Sequence, residues 1–317
     1  MIEIQRYEPG FKQEWDSFVE SSKNGLFLFK RNYMDYHSDR FTDHSLIFAK
    51  DGSTIALLPA NISGDALFSH SGLTFGGLIL DVRIKQTVMM ELFKDLLYYL
   101  RNLGISKIFY KAIPAFYHIY PSQEDIYALF FYGGTLMKVE PTSVIDITNP
   151  IKADYNRRRM LKKAEESHLN VSKSDDYASY MEILSNNLEE RHGVKPVHNL
   201  AEISLLKDRF PDNIMLYTSE KKGEIIAGTI IYLHKTVAHC QYIASTKEGR
   251  RIGALDLLFN YLIRSEELSR VKFLDFGIST EEEGRLLNEG LISFKQGFGA
   301  RTMVHETFRV NIEENKW

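Results

Sequence analysis

One order of elements occurs twice along this chain. In each half, apolar alternation and turn residues predict three antiparallel strands, a long helix, a strand, a second helix and a closing strand. The long helices open at Ile84 and Arg250 and the strands after them at Ile105 and Val271, so both pairs lie 166 positions apart. No sequence identity accompanies the repeat, which is therefore one of pattern alone. A chain of 317 residues is long enough for two domains of ordinary size, and Asn149-Pro150 punctuates it between the halves. The expectation is an α/β protein of two similar domains, residues 1–150 and 151–317, with mixed, mainly antiparallel sheets flanked by helices.

Composition narrows the class. With 44% apolar and 26% charged residues, the chain reads as a soluble globular protein with a filled core. No apolar run approaches the roughly 20 residues of a membrane helix. Residues 1–10 lack the basic start and apolar stretch of a signal peptide, so a cytoplasmic location without a membrane span is expected. The single cysteine, Cys240, excludes an internal disulfide and reads as a buried strand thiol. A net charge of −3 leaves neither half basic enough for duplex nucleic acid. No His, Cys, Asp and Glu set has metal-ligand spacing, with His192 and His198 reading as loop polar groups, so no metal is expected.

Residues 271–299 gather the chemistry. They predict a buried strand over 271–276, an acidic turn released by Gly277, and a helix from about Gly284 that Gly297 and Gly299 end. Asp275, Ser279, Asn288, Glu289 and Lys295 would collect at the carboxyl end of a central strand, where open α/β sheets place a ligand crevice. Taken singly, each has a plainer reading as a turn cap, a solvated first turn or a surface lysine. Lys295, between Phe294 and Phe298 and beside two glycines in F-K-Q-G-F-G, suits close approach to an anion. Asp275-Phe276-Gly277 spells the kinase magnesium motif, but no glycine-rich phosphate loop and no H-R-D loop accompany it, which excludes a kinase.

Three other stretches stand out. Residues 25–40 crowd Phe27, Phe29, Tyr33, Tyr36 and His37 around Lys30 and Arg31 and predict a helix with one aromatic face, core with snorkelling cations being the plainer reading. Residues 70–77, H-S-G-L-T-F-G-G, predict backbone brought close to a ligand or to another strand. Residues 154–168 predict a basic helix whose Arg157, Arg158, Arg159, Lys162 and Lys163 cannot all face a core.

The repeated order is that of the GNAT acyltransferase fold, and two copies in tandem resemble the FemAB-like peptidyltransferases. Asn156-Arg157-Arg158-Arg159 through Lys162-Lys163-Ala164 resembles the R-x-I-R-K-A-like helix that opens that family's second domain. Phe276-Gly277, and Phe294-Lys295 through Phe298-Gly299, resemble its closing strand and its F-K-x-x-F-G. The resemblance implies two tandem GNAT-like domains and an N-acyltransferase moving an acyl group from acyl-CoA to an amine of a small molecule or a peptidoglycan or sugar precursor. Aminoacyl-tRNA as donor is one alternative, and a non-catalytic GNAT-like binding module another. The amine must lose a proton, for which Asp275 or Glu289 is the candidate, and Lys295 would meet the oxyanion or a substrate phosphate. Ser245, Gly249, Arg250, Arg251 and Gly253 would hold the donor's phosphates at a helix start, although Leu255 stands where acetyl-CoA enzymes of this fold have a small residue. Lys30, Tyr33, His70, Arg158, Tyr242 and Asn288 are candidate substrate contacts. Residues 177–209 are too short for the long helical arm many FemAB-like enzymes carry.

Overall fold

The computed structural model describes residues 2–312, and of residues 191 and 192 the backbone alone. Two compact units divide the chain: Pro141–Met303 forms one, and the residues up to Glu140 join those from Val304 onward in the other. The chain leaves the first unit inside strand Thr135–Asp146 and re-enters it inside strand Arg301–Asn311.

In the first unit, strands Leu46–Lys50 and Ser53–Leu58 pair antiparallel through Asp51-Gly52, both at positive φ. That is the geometry a two-residue hairpin demands. Strand Ala66–Phe68 runs parallel to Lys107–Lys111, which pairs in turn with Thr307–Asn311 of the closing strand. Helix Gln86–Asn102 lays Met89, Leu92, Phe93, Leu96, Leu97 and Leu100 on the core at full burial, spaced by three and four as one helix face requires. Each such side chain stabilises the unit by about 1.5–3 kcal/mol. The helix expected over residues 25–40 is instead three short turns, Phe27–Phe29, Arg31–Met34 and Asp35–His37. Lys30 breaks it with an extended ψ of 144, and Trp15, Phe29, Tyr33 and Arg31 turn inward as core.

The second unit contains a mixed sheet. Strands Asn170–Ser174, Ile214–Lys221, Glu224–Leu233 and Val237–Ser245 follow one another antiparallel. Strand Phe273–Ile278 then lies parallel to Val237–Ser245, and the end of Thr135–Asp146 pairs antiparallel on its other side. Helix Ala254–Arg264 buries Leu258, Phe259 and Leu262 on this sheet.

Two local features open that sheet. The register against Glu224–Leu233 jumps from Ile230 opposite Tyr242 to Ile231 opposite Cys240, a bulge at Gln241. Gly277, at φ 76, turns its own strand away. Parallel pairing therefore stops at His239 opposite Asp275, although the first strand continues to Ser245. The long helix expected to open at Arg250 is divided into Lys247–Ile252 and Ala254–Arg264 by left-handed Gly253. The helix expected from Gly284 begins only at Glu289. Glu282, Glu283 and Gly284 are all at positive φ and form the tip of a small hairpin between Thr280–Glu281 and Leu286–Leu287.

Candidate active site

A cleft of about 580 Å³ lies in the second unit where the sheet opens. Helix Tyr177–His192 supplies Leu184, Asn187 and Leu188, and the end of strand Val237–Ser245 supplies Ile243, Ala244 and Ser245. Arg250 and Leu255 line it from the split helix. Asn288, Leu291, Phe294 and Lys295 line it from the cap and one face of helix Glu289–Gly297. The wall is mainly aliphatic and aromatic with a few converging polar groups, as ligand sites usually are.

Lys295 is the most perturbed of these groups. Its side chain is 4% exposed, and Nζ donates to the carbonyls of Gly277 at 2.9 Å and Ile278 at 2.6 Å. Those carbonyls belong to the strand end that turns away from its parallel neighbour, so the lysine supplies donors where the parallel pairing has stopped. Burial disfavours the ammonium and pulls its pKa down to about 8, against the attraction of Asp275.

Asp275 is fully buried. Oδ1 accepts from the Thr142 hydroxyl and, at 2.9 Å, from the Gly277 N–H, while Oδ2 lies 2.8 Å from His239 Nδ1. Glu289 is exposed in the first helical turn. Asn288 caps that helix through the Leu291 N–H at 2.9 Å and donates to Glu281 at 2.7 Å.

Of the five residues expected at the donor's phosphates, Ser245 and Arg250 reach the cleft. Ser245 Oγ donates to the Ile226 carbonyl at 3.2 Å, and Arg250 is tied to the Ser245 carbonyl at 2.5 Å and to Asn187 Oδ1 at 2.7 Å. The helix expected to open at Arg250 already runs from Lys247, capped by Thr246, whose Oγ1 takes the Gly249 N–H at 3.0 Å. Gly253 is required by its own turn, because a Cβ there would meet the Met160 carbonyl at 2.5 Å. Arg251 is exposed, 3.9 Å from Glu248.

The remaining expected contacts disperse. Tyr242 turns to His198, accepting its N–H at 3.1 Å with the ring Nδ1 at 2.6 Å. His192, the other histidine of that segment, has its side chain outside the described residues. Arg158 is exposed and donates to the Asp154 carbonyl. In the first unit, Lys30 pairs with Glu20 at 2.6 Å and Tyr33 is buried between the rings of Phe27 and Tyr36. His70, at φ 64, is buried beside His37 and Phe41, and burial pulls its pKa down to about 3.

Three side chains carry weight that the sequence did not reveal. Asn187 ties Arg250 to the cleft wall. Arg157, read as one cation of a solvated helix, stacks over Phe294 and Phe298 at 5.1 and 5.4 Å and pairs with buried Asp256 at 3.1 Å. His239, 36 positions from Asp275, has no spacing signal linking it to that carboxylate. A period of two along 237–245 does place it on the face opposite Cys240, and that alternation was the signal available.

Residues 152–285 match the sequence model of the acetyltransferase (GNAT) domain. No curated protein matches the chain. Among solved structures, FemX is similar over 98% of both chains, with a TM-score of 0.69 at 12% identity. L-PGS from Bacillus licheniformis is similar over 97% of this chain and 93% of its own, with a TM-score of 0.64 at 14% identity. A tandem GNAT protein from the clavulanic acid biosynthesis pathway covers 98% and 99%, with a TM-score of 0.52 at 10% identity. The chain thus has a GNAT-type fold similar to that of FemX, with residues 152–285 matching the GNAT domain itself.

Proposed function

We propose that this protein is an N-acyltransferase in which Lys295 stabilises the charge that develops when an amine attacks an activated acyl carbonyl. The observation that carries the reading is the buried ammonium at the cleft wall, fixed by the Gly277 and Ile278 carbonyls. Attack converts a planar carbonyl into a tetrahedral oxyanion, and a cation already fixed in a dry site stabilises that charge without reorganising. Two of three N–H donors are engaged, which leaves one for the substrate. A pKa of about 8 keeps the group mostly charged at neutral pH. The acceptor amine belongs to a small molecule or a cell-envelope precursor, as the family resemblance implies.

One observation favours an aminoacyl ester over acyl-CoA as donor. At the helix start expected to hold a pyrophosphate, the Gly249 N–H is taken by Thr246 and the Glu248 carboxylate occupies the first turn, where it repels phosphate. Transfer to a panel of amines, assayed with acetyl-CoA and with aminoacyl-tRNA, tests both statements. Aminoacyl-tRNA should support transfer and acetyl-CoA should not. The reverse result restores acyl-CoA as donor. Melting-temperature shifts with either donor, without transfer from either, would instead mark a binding module and remove the enzyme reading.

A further inference from the structure

We infer that His239, oriented by Asp275, is the group that takes the proton from the attacking amine. This inference rests on the acyl-transfer reading and assigns the proton acceptor that reading requires. A carboxylate only accepts hydrogen bonds, so the 2.8 Å contact from Asp275 Oδ2 fixes the hydrogen of the neutral imidazole on Nδ1 and leaves the lone pair on Nε2. Asp275 cannot turn away, because its other oxygen is held by the Thr142 hydroxyl and the Gly277 N–H. Among the described residues no protein group bonds His239 Nε2, and the side chain is 13% exposed, so its outer edge is open to a small amine.

His239 and Lys295 flank the same residue. A Cβ on Gly277 would stand 3.4 Å from His239 Cε1, and the carbonyl of Gly277 is the one that holds Lys295 Nζ. Base and cation therefore border the same residue, beside the last pair of the parallel strands, His239 opposite Asp275. The nearest other titratable groups are His234, which feels His239 and Asp275, and Cys240, on the opposite strand face, which feels Asp275 and Lys295. Burial lowers the pKa of His234 to about 3 and raises that of the Cys240 thiol, so both stay neutral and neither competes for the proton.

The step balances without another reactant. The amine nitrogen forms a bond to the acyl carbon, the carbonyl π pair moves onto oxygen beside Lys295, and the nitrogen's proton passes to His239 Nε2. Collapse of the oxyanion restores the carbonyl and breaks the bond to the leaving oxygen or sulfur. The leaving group then takes the proton back from His239. An amide, a free alcohol or thiol, and neutral histidine result.

His239→Asn tests the assignment, because its amide nitrogen overlies Nδ1 and can still donate to Asp275 while Nε2 is lost. With aminoacyl-tRNA and acetyl-CoA as donors, kcat for an alkylamine acceptor should fall about 10²-fold or more, the typical contribution of a general base. The Michaelis constant should hold, and added imidazole should restore part of the rate. Hydroxylamine, largely unprotonated at neutral pH, should lose far less. Equal losses for both acceptors, or none, would overturn the assignment. If neither donor reacts with the wild-type protein, the acyltransferase reading fails separately. Diethyl pyrocarbonate, which modifies accessible unprotonated imidazole, then decides on the full-length protein: His239 modified at neutral pH supports an open Nε2, and His239 spared overturns it.

Discussion

At Lys295, activity and stability respond to pH in opposite senses. Desolvation outweighs the pull of Asp275, so the folded protein gives up this proton at about 8, whereas an unfolded lysine keeps it to about 10.4. Between those values the unfolded state binds more protons, and stability rises with pH. At 4% exposure the shift corresponds to about 3 kcal/mol. Turnover needs the ammonium, so kcat should fall as pH rises through 8 while resistance to urea increases. Both slopes should vanish in Lys295→Met, whose side chain fills the space of the lysine stem. The same variant should lose turnover by about 10²- to 10³-fold, as when one fixed oxyanion donor is removed. A raised Michaelis constant with kcat intact would make Lys295 a substrate anchor, and wild-type values for both would remove it from the site.

Helix Glu289–Gly297 is aimed by the contacts at its two ends. At its carboxyl end, Gly299 has φ 96 and a Cβ there would stand 2.1 Å from the Ile151 carbonyl, while a Cβ on Gly297 would meet Asp154 Oδ2 at 2.8 Å and Arg157 Cγ at 3.1 Å. Gly290, in the first turn, has nothing nearer than 3.7 Å. Gly299→Ala should therefore destabilise by about 2 kcal/mol or more, since strain and clash with backbone add. Gly290→Ala should stabilise by about 0.5–1 kcal/mol through helix propensity. Urea denaturation of the two variants checks this, and similar values for both would show that the tail of the helix is not pinned. F-K-Q-G-F-G stood out in the sequence because lysine, aromatics and glycines are unusual together, and its glycines do serve close approach. The hairpin before it was not legible, since Glu282 and Glu283 adopt positive φ that glutamates rarely take. The repeated strand and helix order was readable from periodicity, which depends on local burial. His239 with Asp275, and Arg157 with Asp256, were hidden because strand pairing and helix packing, not spacing, bring them together.

The whole chain should lose stability below about pH 6.5, and unevenly. Burial holds His70 at about 3 and His118 at about 4 and also lowers His44, all in the unit of residues up to Glu140. His70 and His118 stay neutral when folded, so each costs about 1.4 kcal/mol per pH unit below 6.5, where the unfolded chain takes their protons, and His44 acts in the same direction. Buried Asp125 in the same unit opposes them: its folded pKa of about 6 exceeds the unfolded value, so it adds stability as pH falls through 6. One carboxyl does not offset three histidines. In the unit Pro141–Met303, His234 at about 3 is matched by Asp256 at about 6, and the two nearly cancel between pH 6 and 5. The first unit should therefore weaken by roughly 2 kcal/mol between pH 6.5 and 5 and the second by less than about 1 kcal/mol. Trp15, fully buried in the first unit with its indole N–H on the Phe29 carbonyl at 2.7 Å, reports on the former. In a Trp317→Phe background its fluorescence isolates that unit, while circular dichroism follows both. On going from pH 7 to 5 the fluorescence midpoint in urea should drop well ahead of the remaining ellipticity change. Coincident transitions at both pH values would show that the two units unfold as one and that the histidine burial of the first is shared by the whole chain.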